Sequence, residues 1–236
     1  MPTTRHKDLF RYYGMLDKLE ANIGGARTLD QCSGRGLWPA RGVYFFREPG
    51  EKRSDTGSGP RIVRVGTHAL KSGSRATLWK RMAQHKGTPA TGGGNHRGSI
   101  FRLIVGASLL GRTSSELPTW GRGETAKGEI REAELPMERE VTQQIGQMPF
   151  LWLAIDDPAG PESLRDSIER NSIALLSNFD RSVIDPPSNG WLGNNSDRDK
   201  VRRSGLWNSI HVDKEDYDPG FLDDLDRLIS ATGGGS

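Results

Sequence analysis

Cysteine occurs once in this chain, at Cys32, which excludes an internal disulfide and any zinc site built on cysteines. Long apolar runs are missing as well. No stretch approaches the ~20 residues of a membrane span, and the start, MPTTRHKDLF, lacks the apolar core of a secretory signal. A soluble, reducing, cytoplasmic setting is the expectation. Apolar residues make up only 33% of the 236, while glycine reaches 30 and proline 13. That balance gives a moderate core with long loops, and the length suits one domain with extensions.

What the chain does have is charge in blocks. Residues 1–90 carry 17 Lys and Arg against 7 Asp and Glu, a net of +10; residues 113–190 carry 7 against 14, a net of −7. The formal total of +3 hides this division. A strongly basic part attracts polyanions, although a solvated basic surface without a partner would look the same.

Apolar spacing predicts an N-terminal helix over 8–23, stopped by Gly24 and Gly25, followed by loop over 24–41. Short strands follow at 42–46 and 61–66, joined by a turn-rich connector, 48–60, whose basic tip reads as mobile. Ser74 is placed as the N-cap of a helix that carries Leu78, Trp79, Met82 and Ala83 and closes at Gly87. Ser99 caps another helix, with a strand as the runner-up. Residues 111–135 read as polar loop, 137–145 as helix and 150–155 as the most buried strand. A helix over 161–178 has proline in its first turn, and a last helix spans about 219–230 before a disordered GGGS. The fold class expected is α/β: a small three-stranded sheet flanked by helices. Its core is set at 41–190, with an N-terminal helical extension, 1–40, and a C-terminal extension, 191–236, packed on the core.

Arg81 and His85 stand four apart on one helix face bordering the apolar stripe. An arginine there can hold a phosphate with its planar fork, and a histidine beside it can exchange a proton with an oxygen; a surface pair without function has the same spacing. Glu169 lies at the core boundary of its helix, where a carboxylate can hold one hard divalent ion or simply pair with Arg165. Tyr44 ends a G-V-Y triplet and matters chemically only if its hydroxyl meets the same cleft.

Taken in order, Gly42-Val43-Tyr44, then Arg64-Val65-Gly66, then Leu78, Arg81 and His85 in one helix, and finally Glu169, the set resembles the GIY-YIG nuclease family over about residues 40–190. The resemblance implies a GIY-YIG-like core and a DNA endonuclease that hydrolyses phosphodiesters with one Mg²⁺, or Mn²⁺ in its place. It implies that Glu169 holds the metal, that Arg81 steadies the scissile phosphate, that His85 sits near the cleaved bond, and that Tyr44 positions or activates water. Gly66 would allow a close backbone approach. The second hallmark tyrosine is replaced by Arg64, which stays protonated and is a poor base; His68 and Tyr44 are the groups left to activate water. A family asparagine is matched to Asn189, on the D-P-P-S-N-G-W loop, rather than to Asn178.

Arg64, Lys80, His96 and Arg97 (the last two in G-G-G-N-H-R-G), together with Arg202 and Arg203, are the expected nucleic-acid contacts. Trp191 and Trp207 fit packing better than base stacking. DNA is the expected partner, and cutting both strands with a one-metal centre would be easiest for two copies, which leaves a homodimer open. A DNA-binding module without catalysis and a protein-interaction scaffold are the alternatives.

Overall fold

Leu9, Tyr12, Tyr13, Leu16 and Leu19 form one buried side of a helix at Thr4–Asn22 (α1) in the computed structural model, which describes residues 3–36, 38–160 and 162–232. Thr3 caps it, accepting the His6 amide at 3.2 Å. Gly24 and Gly25, both at positive φ, end it.

The next segment, expected to be loop, contains a two-residue strand, Arg27–Thr28 (β1). With Gly42–Lys52 (β2), Pro60–Gly66 (β3) and Pro149–Ala154 (β4) it makes a fully antiparallel sheet of order β1-β4-β2-β3. The sheet thus has four strands rather than three; two residues of pairing leave no periodic trace in a sequence. The inner strand β2 is covered on both faces, which is why V-Y-F-F runs without a polar break. It also continues to Lys52, well past Phe46, so the connector shrinks to 53–59. That connector is tied down: the Asp185 carboxylate accepts the amides of Ser54, Asp55 and Thr56 at 2.9, 2.8 and 3.1 Å.

The helices are Leu78–Lys86 (α2), Ile100–Thr113 (α3), Gly128–Gly146 (α4), Leu164–Leu176 (α5), Asp199–Ser204 (α6) and Phe221–Thr232 (α7). Thr77, not Ser74, caps α2 by accepting the Lys80 amide at 3.2 Å. Ser99 does cap α3, and the strand alternative there is set aside. Ser163 caps α5, later than expected; Pro161 and the GGGS end lie outside the described residues. Val43, Phe45, Val65, Leu151 and Leu153 meet α1, α5 and α7 on one sheet face. Tyr44, Phe46 and Phe150 meet α2, α3 and α4 on the other, with Trp191 and Trp207 buried among them. Both tryptophans donate their indole N–H to Glu48 at 2.9 Å, which accounts for them as packing.

The first half of α4 falls within the stretch read as polar loop. Its buried positions are Glu134, Glu138, Val141 and Ile145, a helical stripe in which two glutamates stand where apolar residues would be looked for. Arg97 neutralises Glu134, and Arg102 neutralises Glu138, which also takes hydrogen bonds from His96. Periodicity of hydrophobic residues cannot see such a helix.

Candidate active site

The regular stretch of β2/β3 pairing from Tyr44–Gly66 to Phe46–Arg64 sets the site, and a bulge follows it. Phe46 faces Arg64, but Arg47 faces Ile62, so Val63 is the extra residue of a β-bulge. Arg64, on the Gly66 side of the bulge and two residues from Gly66, lies by ordinary strand alternation on the same sheet face as Tyr44, which pairs directly with Gly66. The Tyr44 ring lies across Gly66, and a Cβ there would collide with the phenol carbon and oxygen. Gly66→Ala should therefore push Tyr44 aside and cost ~1–3 kcal/mol by overpacking, read as a thermal melt lowered by several degrees. An unchanged melt would deny the contact.

Tyr44, Arg64, Thr67, Arg81, Ile100, Glu169, Asn208, Ser209 and Ile210 line one cleft of about 280 Å³. Helix α5 packs on the opposite sheet face, and Glu169 reaches the cleft past the end of β3, where it accepts the Thr67 amide at 3.2 Å. It is not spent on Arg165, which pairs with Asp157 instead. Burial pushes the Glu169 carboxyl up to about 7, against the opposing pull of Arg64 and the Thr67 amide.

Arg81 donates to Gln84 and to the Gly98 carbonyl at 3.0 and 3.3 Å, and its Nε has no partner. Arg64 donates to the Trp207 carbonyl, lies 4.7 Å from the Phe101 ring centroid, and likewise leaves Nε unpartnered. Burial, reinforced by Arg81, lowers the Arg64 guanidinium below its ordinary range. Among the described residues neither arginine forms an ion pair with a carboxylate. Two cations without counter-ions and one unpaired carboxylate share the cleft.

His85 is fully buried and does not line the cleft. Its Nε2 is 3.0 Å from the Tyr44 hydroxyl and its Nδ1 is 2.8 Å from Ser99 Oγ. Burial, with Arg81, Arg64 and Arg102 nearby, holds the ring well below its ordinary range. A neutral ring of this kind donates on one side and accepts on the other, so His85 positions the tyrosine rather than meeting a substrate.

Two further expectations are redirected. The His68 ring sits 3.3 Å from the Ala40 carbonyl, outside the cleft lining, and burial lowers it to about 4. Asn189 is exposed on a loop whose neighbour Ser188 bonds Glu51, near the far end of the β2/β3 hairpin, and it does not reach the cleft. Asn208 lines the cleft instead: its side chain accepts the Val65 amide at 3.2 Å and donates to the Val65 carbonyl at 2.8 Å. Those two bonds cap the open edge of β3. No local sequence signal marks Asn208, because its partner lies 143 residues away.

The expected nucleic-acid contacts also divide. Lys80 is exposed beside the cleft helix and Arg64 is in the cleft floor. His96 is buried on Glu138 at 2.9 Å and stacked on Trp120, and Arg97 is held by Glu134. His96 is occupied on both ring nitrogens, by Glu138 and by the Gly121 amide, and the Arg97 charge is spent on Glu134, which removes both as phosphate grips. Arg202 pairs with Asp199, and Arg203 with Asp180 and Asp199.

Among the described residues no cluster of three or more His, Cys, Asp and Glu could hold a metal. A divalent ion would rest on Glu169, with water and phosphate oxygens completing its shell, which is how Mg²⁺ is commonly bound. An unpaired, half-buried carboxylate suits that role. No described helix is long and apolar enough to cross a membrane.

On this small mixed α/β fold, Tyr44 and Arg64 from the sheet meet Arg81 from α2 and Glu169 from α5 at one cleft. Comparison with family models matches the GIY-YIG domain over residues 3–234. The chain belongs to the GIY-YIG domain family, and the match includes both terminal helices. Comparison with curated proteins gives no match, and comparison with solved structures gives none either.

Proposed function

We propose that the protein is a divalent-metal-dependent endonuclease that hydrolyses DNA phosphodiesters. The observation that carries this reading is the convergence of Arg64 and Arg81, both without counter-ions, with unpaired Glu169 and the Tyr44 hydroxyl on one cleft. A scissile phosphate supplies the negative charge that this arrangement lacks.

Arg81 and Arg64 bind the phosphoryl oxygens and stabilise the charge that builds on them as water attacks phosphorus. The Tyr44 hydroxyl, held by His85, orients the water. Glu169 would hold a divalent cation, which when bound would supply Lewis-acid charge neutralisation. The P–O bond then breaks, leaving one strand end with the phosphate and the other with a hydroxyl. Arg64 takes over part of the phosphate binding while removing the hydroxyl expected at its position, so Tyr44 is the one phenol left at the centre.

The test is kinetic. Arg81→Ala should lower plasmid nicking ~10²-fold, the usual effect of removing one transition-state donor, with little change in the thermal melt of this partly exposed residue. Arg81→Lys, which keeps charge but loses the fork, should recover only a part. Nicking unaffected by Arg81→Ala would reject the assignment. Arg64 itself favours a second reading, a DNA-binding module without catalysis. That module would bind DNA with salt-dependent affinity but yield no metal-dependent product.

A further inference from the structure

Outside the cleft, three tryptophans gather where the 33–40 loop meets α2 and β4. The Trp38 ring lies 5.0 Å from Trp79 and 5.4 Å from Trp152, and stacks at 6.3 Å on Phe150. All three indoles are only half-buried. Trp38 donates to the Ser33 carbonyl at 2.9 Å, whereas the indole N–H groups of Trp79 and Trp152 have no acceptor among the described residues. Trp152 pairs directly with Tyr44 across the sheet, so the cluster and the cleft share one sheet face.

Exposed basic side chains border this cluster. From Thr56 to Ser115 the chain has ten Lys or Arg and no Asp or Glu, although Arg61, Arg97 and Arg102 of this run are spent on Glu51, Glu134 and Glu138. Exposed Arg27 places its guanidinium 5.3 Å from the Trp152 ring centroid. Arg35, Arg75 and Lys80 are exposed on the same loops and helix, and among the described residues none of them is paired.

Helix α2 joins the two regions. Leu78, Met82 and His85 are its buried side. Successive residues turn by about 100°, so Trp79, Lys80 and Arg81 step round the outward side in order. Trp79 flanks the cluster, Lys80 forms the crest, and Arg81 enters the cleft. A flat aromatic face, a cation and a phosphate clamp thus follow one another over a single helical turn.

We propose that Trp38, Trp79 and Trp152, with Arg27 and Lys80, form a stacking platform for an unpaired nucleic-acid strand that passes over α2 into the cleft. Duplex bases are stacked on each other and offer no free face; unpaired bases do, and they stack on aromatic rings regardless of sequence. The positive surroundings select a polyanion over an apolar peptide. The inference extends the endonuclease reading by naming its substrate class, DNA with a single-stranded segment beside the cut, but it is tested by binding alone.

The measurement is fluorescence anisotropy of a labelled oligo(dT) of about 15 nucleotides and of a duplex of equal length, with the full chain in chelator so that nothing is cut. The wild type should prefer the single strand. Trp79→Ala should weaken single-strand binding ~5–100-fold, the range of one lost base-stacking contact, and change duplex binding little. Trp79→Leu fills the same apolar gap without the flat face and should be as weak, while Trp79→Phe should recover much of the affinity. Lys80→Ala should make the salt dependence of single-strand binding shallower by about 0.7. Melting curves of the Leu and Phe variants verify the fold. Unchanged single-strand affinity in both Trp79→Ala and Trp79→Leu overturns the platform, as does equal weakening for both DNA forms. Trp79-dependent binding in a protein that never nicks would sink the hydrolase reading and leave the platform standing.

Discussion

Glu169→Gln should make the metal-free protein more stable and catalytically dead. The direction follows from the proton balance. In the unfolded chain Glu169 ionises around the ordinary 4.5, whereas burial holds it protonated up to about 7 in the fold. Between those values the folded state binds the extra proton, so stability falls as pH rises and this contribution is fully lost above 7. Glutamine has no such dependence. Below pH 4.5 the two proteins should melt alike; at pH 8 the variant should be more stable by ~3 kcal/mol, or about 6–12 °C for a chain of this size. Adding Mg²⁺ at pH 8 should raise the melt of the wild type only, since binding stabilises the form that binds. Differential scanning fluorimetry across pH, with and without Mg²⁺, reads all of this. A variant less stable than wild type at pH 8 would mean that Glu169 is a structural carboxylate.

Glu138→Ala should have the largest effect on the fold. One Glu138 oxygen receives the His96 amide at 2.6 Å and faces His96 Nδ1 at 2.9 Å; the other receives Arg102 Nε and Nη2 at 2.9 and 2.6 Å. Arg102, fully buried, also donates to the carbonyls of His85 and Glu138 at 2.7 Å. Removing the carboxylate strands a buried guanidinium, which costs ~3–5 kcal/mol, equivalent to a melt lowered by about 6–20 °C. Replacing both partners with apolar residues, Arg102→Met with Glu138→Leu, should cost less than the sum of the single changes. Burial alone would raise the Glu138 carboxyl, but the bonds from His96 and Arg102 hold it below its ordinary range. Its support is therefore present above the ordinary carboxylate range and fails as pH falls. Because Arg102 anchors the His85 carbonyl, activity should drop with stability. A Glu138→Ala melt within ~2 °C of wild type would contradict the network.

These two glutamates also mark how far the sequence can be read. Glu169 was legible: its neighbours Ile168 and Ile173 place it at the edge of a helix, and the order of Tyr44, Gly66, Arg81 and His85 before it follows local spacing. Each of those residues is positioned by its own strand or helix. Glu138 was not legible, because a charged residue on a buried stripe declares itself only through partners 36 and 42 residues away. The same reason hides Asn208, whose role depends on the open edge of β3, and the Ser99–His85–Tyr44 chain, which needs three elements at once. His68 was chosen for its nearness to Gly66 and Asn189 for its place on a loop free to fold back; the chain turns His68 toward Ala40 and carries Asn189 to the other end of the hairpin. The bulge at Val63, which breaks the alternation of β3 next to Arg64, is a register property that no single strand encodes.

Incubating supercoiled plasmid with the full chain in Mg²⁺, with chelator in a parallel reaction and Glu169→Gln beside the wild type, tests most directly whether these side chains make one hydrolytic centre. Nicked product from the wild type in Mg²⁺ alone is the predicted result. Equal nicking by the glutamine variant, or nicking indifferent to chelator, would contradict it.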